Sequence, residues 1–418
     1  MTSRYSAWNL LRGGFNGHRH WSPAWRTPQP QPHYDVVIIG GGGHGLATAY
    51  YLAKHHKLRV AVLEKAWIGG GNTGRNTTIV RSNYRLPVFQ ALLEKSLQLW
   101  EGLSAELNYN VMFSQRGALF LGHSDGDMTR LAERGDALRC AGIDAELLSR
   151  DAVAKLVPLL DMSDAARFPV AGGMIQRRGG TARHDAVAWG YARAADALGV
   201  DIIQQCEVTG FDIAGGRIAG VQTTRGAIGA ATVGIVVAGN SGVLAGLAGL
   251  RLPVESHLLQ AFVTEPVKPM IDTVIMSQSV HCYISQSDKG EIVLGGDPDH
   301  YPSYSQRGVP YRIEEVAGQA IGLVPALSKL RMLRCWSGIT DMTCDGAPII
   351  DATPIAGLHI NGGWCYGGFK ATPGSGWVFA EQLASGRVHP LAAPFRLDRF
   401  TTGAMHDEAA AGPMPQHR

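Results

Sequence analysis

The stretch from Tyr34 to Lys65 constrains this chain more than any other, because it contains a strand, a glycine turn, a helix and a second strand in sequence. The β-branched run Val36–Ile39 is typical of a parallel strand covered on both faces. Gly40, Gly42 and Gly45 then fill the three positions of G-x-G-x-x-G. They permit a tight turn, the approach of a pyrophosphate and close helix packing. The stretch therefore predicts a dinucleotide-binding βαβ unit.

The rest of the unit indicates how the dinucleotide lies. A helix is predicted over Leu46–His55, and its N-terminal amides should face the phosphates. The next strand, Arg59–Leu63, ends at Glu64, nineteen residues after Gly45. A carboxylate at this place accepts hydrogen bonds from the adenosine ribose hydroxyls and repels a 2′-phosphate. These features fit NAD and FAD equally.

The segment after Glu64 favours a flavin. Residues 67–81 form a glycine-rich loop that leads into a short apolar strand and carries many hydrogen-bond donors. In a nicotinamide enzyme the unit normally continues to a third alternating strand, whereas a flavin enzyme wraps its longer cofactor with a polar loop. The predicted FAD contacts in and beside this segment are Gly43, His44, Lys65, Asn72, Arg75, Thr77, Thr78 and Ile79.

Composition limits the classes of function. The 418 residues are 45% hydrophobic and 17% charged, as in a globular protein of two or three domains. The 38 basic residues exceed the 35 acidic residues by only three, without a long basic run, which argues against nucleic acid. Six cysteines without C-x-x-C spacing predict reduced thiols in a cytoplasmic protein and no metal site. Glycines divide the uncharged stretch Val233–Leu250 into strand, turn and helix, so no membrane span is expected.

Periodicity predicts the remaining elements. We expect a helix over Leu86–Leu107, a strand pair within Val111–Leu121, helix over Asp125–Ala154, a meander of Asp201–Val208 with Ile218–Thr223, a parallel strand over Val233–Gly239 and a period-two antiparallel sheet over Arg251–Gly338.

Residues 34–110, 165–250 and 340–400 are assigned to an FAD-binding domain, and residues 111–164 and 251–339 to a substrate domain. A C-terminal tail occupies 401–418. An N-terminal arm, 1–33, contains Trp8, Trp21 and Trp25, and is expected to pack on its own domain or on a partner subunit.

Two further segments hold candidate site residues. Thr372 as N-cap and Pro373 at the first helical position predict a helix whose positive end faces a flavin ring, with Lys370 adding charge there. Val208, Gly239, Gly363 and Gly368 are expected near the cofactor. His184 lies at the start of a helix predicted from about Asp185, where a side chain can face a cleft. A lone histidine at such a place is more often a cap or a solvated residue.

Several motifs together resemble one family: GGGGHGLATAYYLA, GGGNTGRNTTIVRSNY, RRGGTARHDAVAWG and GGFKATPGSG are similar to the β subunits of heterotetrameric sarcosine oxidase, within the FAD-dependent amine and amino-acid oxidases. The resemblance implies an α/β fold with a glutathione-reductase-like FAD-binding domain and a mixed-sheet substrate domain. It implies noncovalent FAD, FMN attached covalently to His184, and partner subunits of α, γ and δ type. It also implies that Arg81 and Lys370 bind the carboxylate of a small amino acid, with sarcosine giving glycine and formaldehyde. His257 is either an FMN contact or a hydrogen-bonded core residue.

The sequence departs from the family pattern in three segments: Cys365 with Tyr366, Cys344, and Gly295–Asp297 with the tyrosine-rich loop that follows. Because these segments are expected near the ring or the substrate, dimethylglycine, N-methylglutamate and a proline-like imino acid remain alternatives to sarcosine. Three hypotheses follow: a β-type subunit of a multisubunit amine oxidase, a stand-alone FAD amino-acid oxidase or dehydrogenase, and a flavin-carrying assembly subunit.

Overall fold

The computed structural model describes residues 6–17, 19 and 23–408. Within these ranges its α-helices are α1 (Ala7–Phe15), α2 (Gly43–Tyr51), α3 (Pro87–Glu106), α4 (Asp125–Cys140), α5 (Arg150–Leu156), α6 (His184–Ala197), α7 (Ser241–Leu247), α8 (Pro310–Leu323), α9 (Gly368–Ser385) and α10 (Arg399–Thr402). Of the helices so described, none is both long and apolar enough to cross a membrane.

The strands divide into two large sheets and one small one. They are β1 (His33–Ile39), β2 (Val60–Leu63), β3 (Ile79–Val80), β4 (Ala118–Gly122), β5 (Glu146–Ser149), β6 (Gly172–Gln176), β7 (Gly180–Thr181), β8 (Asp201–Ile203), β9 (Val208–Ala214), β10 (Arg217–Thr223), β11 (Gly226–Ile235), β12 (Val254–Pro266), β13 (Val274–Ser277), β14 (Cys282–Gln286), β15 (Glu291–Gly296), β16 (Met332–Thr343), β17 (Ile349–Ala352) and β18 (Leu358–Gly362). The mixture of parallel and antiparallel sheets with covering helices confirms the predicted α/β class.

The first sheet has the order β17-β18-β11-β1-β2-β8, in which the strands from β18 to β8 are parallel and β17 is antiparallel to β18. Strands β10 and β9 continue from β11. Strand β1 pairs in parallel with β2 and with β11, as the β-branched runs predict. Helices α2, α3, α6 and α9 cover one face, where Trp100 and Phe379 are fully buried. This sheet is the predicted FAD-binding layer.

The glycine turn between β1 and α2 is held by contacts that exclude side chains. A Cβ atom on Gly40 would lie 2.2 Å from the carbonyl oxygen of Val236, at a φ of +115°. A Cβ atom on Gly45 would lie 2.0 Å from the carbonyl oxygen of Gly40. The first and third glycines of the motif therefore have the predicted structural roles.

The second sheet has the order β16-β12-β15-β14-β13-β4-β6-β5 and is mostly antiparallel. It confirms the predicted period-two sheet, and α8 packs on it. Strand β6 pairs with β4 and β5, so residues 172–176 lie in this sheet although the sequence placed 165–250 in the FAD-binding layer. The chain returns to the first layer after β6.

Three local predictions were wrong. Residues 111–117 do not pair with 118–121, because β4 pairs with β6 and β13 instead. The segment 125–154 is not one helix, since β5 separates α4 from α5. Residues 201–208 do not form one strand of a meander: β8 joins β2 in parallel, and β9 pairs with β10. In each case a partner distant in sequence decides the pairing.

Helix α9 begins one turn earlier than Thr372 and Pro373 predict. Its N-cap is Gly367, and Pro373 lies inside the helix. The amide of Gly374 donates to Ser96 Oγ at 3.2 Å, while Ser96 Oγ and Trp100 Nε1 donate to the carbonyl oxygen of Lys370 at 2.7 and 2.8 Å. Ser96 and Trp100 of α3 thus replace the helical hydrogen bond between the Gly374 amide and the Lys370 carbonyl oxygen. This replacement explains why the helix tolerates Pro373.

Both ends of the described chain contact the first layer. Arg26 Nε donates to Asp196 Oδ1 at 2.8 Å, and Trp25 packs on the main core, as predicted for an arm lying on its own domain. Trp8 is 73% exposed, and Trp21 lies outside the described residues. At the other end, buried Glu408 accepts from the amides of Arg85 and Leu86 at 2.6 and 2.8 Å and so caps α3.

We expect the Gly45→Ala substitution to destabilise the protein by about 1–3 kcal/mol, because its methyl group overlaps the Gly40 carbonyl oxygen. The matched control is Gly102→Ala in α3, an exposed helical position with no heavy atom within 4 Å of the added Cβ. It should stabilise by about 0.5–1 kcal/mol. Thermal denaturation of the two variants tests this, and equal melting temperatures would contradict it.

Candidate active site

One cavity of about 770 Å³ lies between the two sheets, within the size range of small-molecule and cofactor sites. Fourteen of the predicted residues line it: Gly40, Gly42, Gly43, His44, Glu64, Lys65, Asn72, Arg75, Thr77, Ile79, Arg81, Val208, Gly368 and Lys370. Six predicted residues do not line it: Gly45, Thr78, Gly239, Gly363, His184 and His257. The structure thus brings together residues from both ends of the chain.

Some of the six have structural roles instead. Gly239 lies against Ile339, where an added Cβ would come within 2.4 Å. Gly363 has a φ of +69°, which a side chain rarely adopts. His257 is 1% exposed and hydrogen-bonded to the Asp299 carbonyl oxygen at 2.8 Å, which favours the core role over a flavin contact.

The glycine end of the cavity is suited to a diphosphate. Helix α2 begins at Gly43, and its N-cap residue, Gly42, has no side chain that could cap the first turn. The amide of Gly43 donates to Thr73 Oγ1 at 2.9 Å, so the polar loop reaches the helix start. Thr73 was not among the predicted contacts, although it lies inside the loop that the sequence singled out. Free amide donors at a positive helix end are the groups that bind phosphate oxygens.

Glu64 lies where the ribose is expected. Its Oε2 accepts from the Gly41 amide and its Oε1 from the Ala66 amide, both at 2.8 Å. These bonds fix the carboxylate at the end of β2, while the residue still lines the cavity. Each carboxylate oxygen has a second lone pair for a ribose hydroxyl. The carboxylate therefore both holds the glycine turn and faces the nucleoside position.

A hydrogen-bonded chain runs from α2 to α9 beside the cavity. His44 Nε2 lies 2.6 Å from the Gly368 carbonyl oxygen, so this nitrogen carries the proton and donates. His44 Nδ1 then accepts from Ser375 Oγ at 2.9 Å, and Ser375 Oγ accepts from Asn361 Nδ2 at 2.7 Å. Trp364 Nε1 donates to Asn361 Oδ1 at 2.7 Å. Burial lowers the pKa of His44 to about 4, which keeps the imidazole neutral.

Arg81 and Lys370 line the other end of the cavity, and a third basic side chain, Arg134, packs beside Arg81. The Arg81 guanidinium lies between the rings of Tyr84 and Phe120, 4.3 and 5.1 Å from their centroids. Arg134, which the sequence analysis missed, lies 4.6 Å from the Phe120 centroid on the same ring. Burial and then the charge of Arg81 lower the pKa of Arg134 to about 10. Positive charge packed this closely favours binding of an anion.

Lys370 belongs to the same positive group. It is 8% exposed, and its Nζ donates to the Tyr366 carbonyl oxygen at 2.7 Å. Burial, followed by repulsion from Arg81, lowers the pKa of Lys370 well below its ordinary value. The sequence treated this residue as a fixed cation, but the structure gives it an amine that gains its proton most readily beside an anionic ligand.

Asp341 is a cavity residue that no sequence motif marks. It lies near the end of β16, is 3% exposed, and accepts a hydrogen bond from the Gly363 amide. Burial raises the pKa of Asp341 to about 6. A strand residue with period-two neighbours carries no signal that distinguishes a site residue from a core residue, so only the fold identifies it.

His184 begins α6 outside the cavity. Its Nδ1 is buried without a hydrogen-bond partner among the described residues. Burial lowers the pKa of His184, so its imidazole is neutral at physiological pH. A buried ring nitrogen without a partner is uncommon in a folded protein and indicates that another group completes its environment.

The fold and the cavity together define a flavin-dependent oxidoreductase, and comparison with known proteins agrees. Residues 35–382 match the family model described as FAD dependent oxidoreductase, and the chain belongs to that family. It is 59% identical over 413 residues to the sarcosine oxidase subunit beta of Rhizobium meliloti (strain 1021), covering 99% of each chain. It is 51% identical over 388 residues to that of an Arthrobacter species, covering 93% of this chain and 96% of the relative. Within the oxidoreductase family, the chain belongs with the sarcosine oxidase β subunits.

The solved structures that resemble it confirm the fold. L-proline dehydrogenase from P. horikoshii is 27% identical with a TM-score of 0.84, covering 91% of this chain and 100% of that one. Glycine oxidase from Geobacillus kaustophilus is 23% identical with a TM-score of 0.80, covering 88% and 99%. The predicted family, fold class and FAD dependence are confirmed.

We expect Glu64→Gln to weaken FAD binding by about tenfold, because the neutral amide removes a charged acceptor from the Gly41 and Ala66 amides and from the ribose. Titrating FAD into the apoprotein, followed by flavin fluorescence, measures the Kd. Glu207→Gln is the matched control, since Glu207 also lines the cavity but is bonded to Thr224 through its backbone amide, away from the glycine turn. Equal affinities for the two variants would contradict this role of Glu64.

Proposed function

We propose that this chain is the β-type subunit of a heterotetrameric oxidase and converts sarcosine to glycine and formaldehyde. The observation that carries the proposal is the arrangement of a dinucleotide-binding turn and two basic residues in one cavity. A glycine turn for a dinucleotide lies at one end, and Arg81 with Lys370 lies at the other. The names of the most similar relatives, at 51–59% identity, support the same substrate and the same kind of assembly.

The bound flavin supplies a two-electron acceptor for a C–H bond next to nitrogen. The protein must hold a small amino acid so that this bond faces the ring. Arg81 is fixed between Tyr84 and Phe120, and so presents its guanidinium in one orientation. A guanidinium in a fixed plane binds a carboxylate through two parallel hydrogen bonds. Lys370 adds a second donor that becomes charged as the carboxylate binds.

The same cations also affect the protonation state of the substrate amine. Oxidation requires the nitrogen lone pair, so the neutral amine is the reactive form. Positive charge near the nitrogen makes its ammonium form less stable and lowers its pKa. The neutral imidazole of His44 adds no opposing charge. The basic cluster therefore binds the carboxylate and favours the reactive protonation state.

A second candidate is a stand-alone FAD dehydrogenase for an imino acid. It is favoured by the likeness to L-proline dehydrogenase, whose TM-score of 0.84 comes with 27% identity. Tyr366 lines the cavity and its carbonyl oxygen accepts from Lys370, and its bulk is expected to narrow or reshape the amine pocket. Dimethylglycine and N-methylglutamate remain further alternatives.

Steady-state oxidation of sarcosine, L-proline, dimethylglycine and N-methylglutamate tests the substrate, and we expect the highest kcat/KM for sarcosine. Arg81→Met should raise the KM for sarcosine by about 30-fold, or about 2 kcal/mol, because the carboxylate loses its paired donor. Arg116→Met is the matched control, since Arg116 pairs with Asp288 away from the cavity. A lower kcat/KM for sarcosine than for L-proline would favour the second candidate.

We also propose that His184 carries FMN covalently, in a protein that works in the cytoplasm with α, γ and δ type subunits. The buried Nδ1 without a partner supports the attachment site, and the neutral imidazole supports a nucleophilic nitrogen. The six cysteines are free, which fits a reducing compartment.

Acid precipitation of the protein purified with its partner subunits tests this attachment. We expect one flavin per chain to stay in the pellet, and an intact mass that exceeds the polypeptide by one FMN. His184→Asn should release this flavin while the FAD still dissociates as in the wild type. His257→Asn is the control, because His257 is a core histidine outside the cavity. Acid-stable flavin in the His184 variant would contradict the assignment.

A further inference from the structure

The segment Gly295–Asp297, at the end of β15, faces the turn between β13 and β14. Tyr283 and Cys282 pair with Gly295 and Gly296 across the sheet. A Cβ atom on Gly295 would lie 2.0 Å from the Tyr283 hydroxyl oxygen, and one on Gly296 would lie 2.5 Å from the His281 carbonyl oxygen. The two glycines therefore permit the Tyr283 ring and the His281 backbone to approach β15.

This approach produces an ion pair at the cavity wall. His281 Nδ1 lies 2.8 Å from Asp297 Oδ2, and both residues line the cavity. His281 has a φ of +56°, a conformation that costs energy for a residue with a side chain. The hydrogen bond of the Val280 amide to Ser277 Oγ, at 3.1 Å, belongs to the same turn. The turn thus keeps a strained backbone that places an imidazole beside a carboxylate.

The pair has further support from α8. Arg312 is buried, and its Nη2 donates to the Pro298 carbonyl oxygen at 2.8 Å, directly after Asp297. Its Nη1 pairs with Glu315. Arg312 therefore fixes the backbone that carries Asp297, and Glu315 offsets its charge.

Tyr366 connects this pair to the basic cluster. Its carbonyl oxygen accepts from Lys370 Nζ at 2.7 Å. Burial, and then the negative charge of Asp297, raise the pKa of the Tyr366 hydroxyl well above its ordinary value. The charge of Asp297 acts in the same direction on the buried hydroxyl of Tyr283. Tyr366 is therefore bonded to Lys370 through its backbone and lies close enough to Asp297 for that charge to act on its hydroxyl.

We propose that Asp297, positioned by His281, is a specificity-determining residue that binds the cationic nitrogen of a small amino acid whose carboxylate lies on Arg81 and Lys370. The inference rests on the proposed function and deepens it, because it assigns the amine end of the site. A carboxylate that lines the same cavity as two basic groups orients a zwitterion in one direction. Because the neutral amine is the reactive form, Asp297 holds the arriving ammonium form. After that proton has left to solvent, Asp297 stabilises the positive charge that develops on nitrogen as the C–H bond breaks and its electron pair leaves.

His281 regulates how much negative charge Asp297 presents. Pairing with Asp297 raises the pKa of His281 above its ordinary value, with Glu315 acting in the same direction and burial and Arg312 opposing it. Below that pKa the imidazolium neutralises Asp297. Above it the imidazole is neutral and Asp297 presents its full charge, while the Tyr283 and Tyr366 hydroxyls stay protonated. Binding of a cation should therefore tighten as pH rises through the His281 titration.

Two ligands of equal shape test the interaction between Asp297 and a positively charged nitrogen. Trimethylglycine has a permanent positive nitrogen, and 3,3-dimethylbutyrate has carbon in its place. Their affinities for the flavin-loaded protein are measured by changes in the flavin absorption spectrum. We expect Asp297→Asn to weaken trimethylglycine binding by about tenfold and to change 3,3-dimethylbutyrate binding by less than about twofold. His281→Gln should strengthen trimethylglycine binding at low pH and remove its pH dependence.

Glu381→Gln is the control, because Glu381 lies 3.2 Å from His56 in a histidine–carboxylate pair outside the cavity. It should leave both affinities unchanged. Equal losses for both probes in Asp297→Asn would overturn the proposal, as would unchanged trimethylglycine binding in that variant or no binding of trimethylglycine to the wild type. Failure of the proposed function has a separate sign: sarcosine would not reduce the flavin of the wild type.

Discussion

The absence of side chains at two glycines is the constraint on which the rest of the structure depends. Gly40 admits the Val236 carbonyl group, and Gly45 admits the Gly40 carbonyl group. These contacts join β1, β11 and the start of α2, and so fix the helix N-terminus at the carboxyl ends of the parallel strands. Glu64, at the end of β2, then bonds to the same turn. One compact arrangement therefore sets both the phosphate and the ribose positions.

The positive charge at one end of the cavity lowers the stability of the fold and favours the binding of an anion. Lys370 is buried and Arg134 half-buried near Arg81, and both have lowered pKa values. Charge repulsion of this kind costs folding free energy, and an anionic ligand recovers part of it by binding. Glu408 offsets part of this charge, since it raises the pKa of Arg134, while its oxygens accept from the Arg85 and Leu86 amides just before α3. The substrate carboxylate is then the natural counter-charge.

The sequence predicted the parts of the site that depend on local order. The βαβ unit is continuous in the chain, so its glycines and Glu64 could be placed from spacing alone. Arg81 and Lys370 came from the family resemblance, and the cavity contains both. The start of α9 could not be predicted, because Ser96 and Trp100, far away in sequence, compensate for Pro373. Asp341 and Arg134 were missed for the same reason, since only the pairing of distant elements places Asp341 at the cavity and Arg134 beside Arg81.

The Gly295–Asp297 segment shows how a departure from a family pattern acquires a physical meaning. In sequence it was only a difference near the expected substrate site. In the fold each glycine removes a specific clash, with Tyr283 and with the His281 backbone, and the aspartate next to them meets an imidazole. The two glycines and Asp297 therefore act together. The glycines leave space for the Tyr283 ring and the His281 backbone, and this brings the His281 imidazole to Asp297. Because Tyr366 lies close to Asp297 and bonds to Lys370, a change at either end of the cavity alters the electrostatics felt at the other.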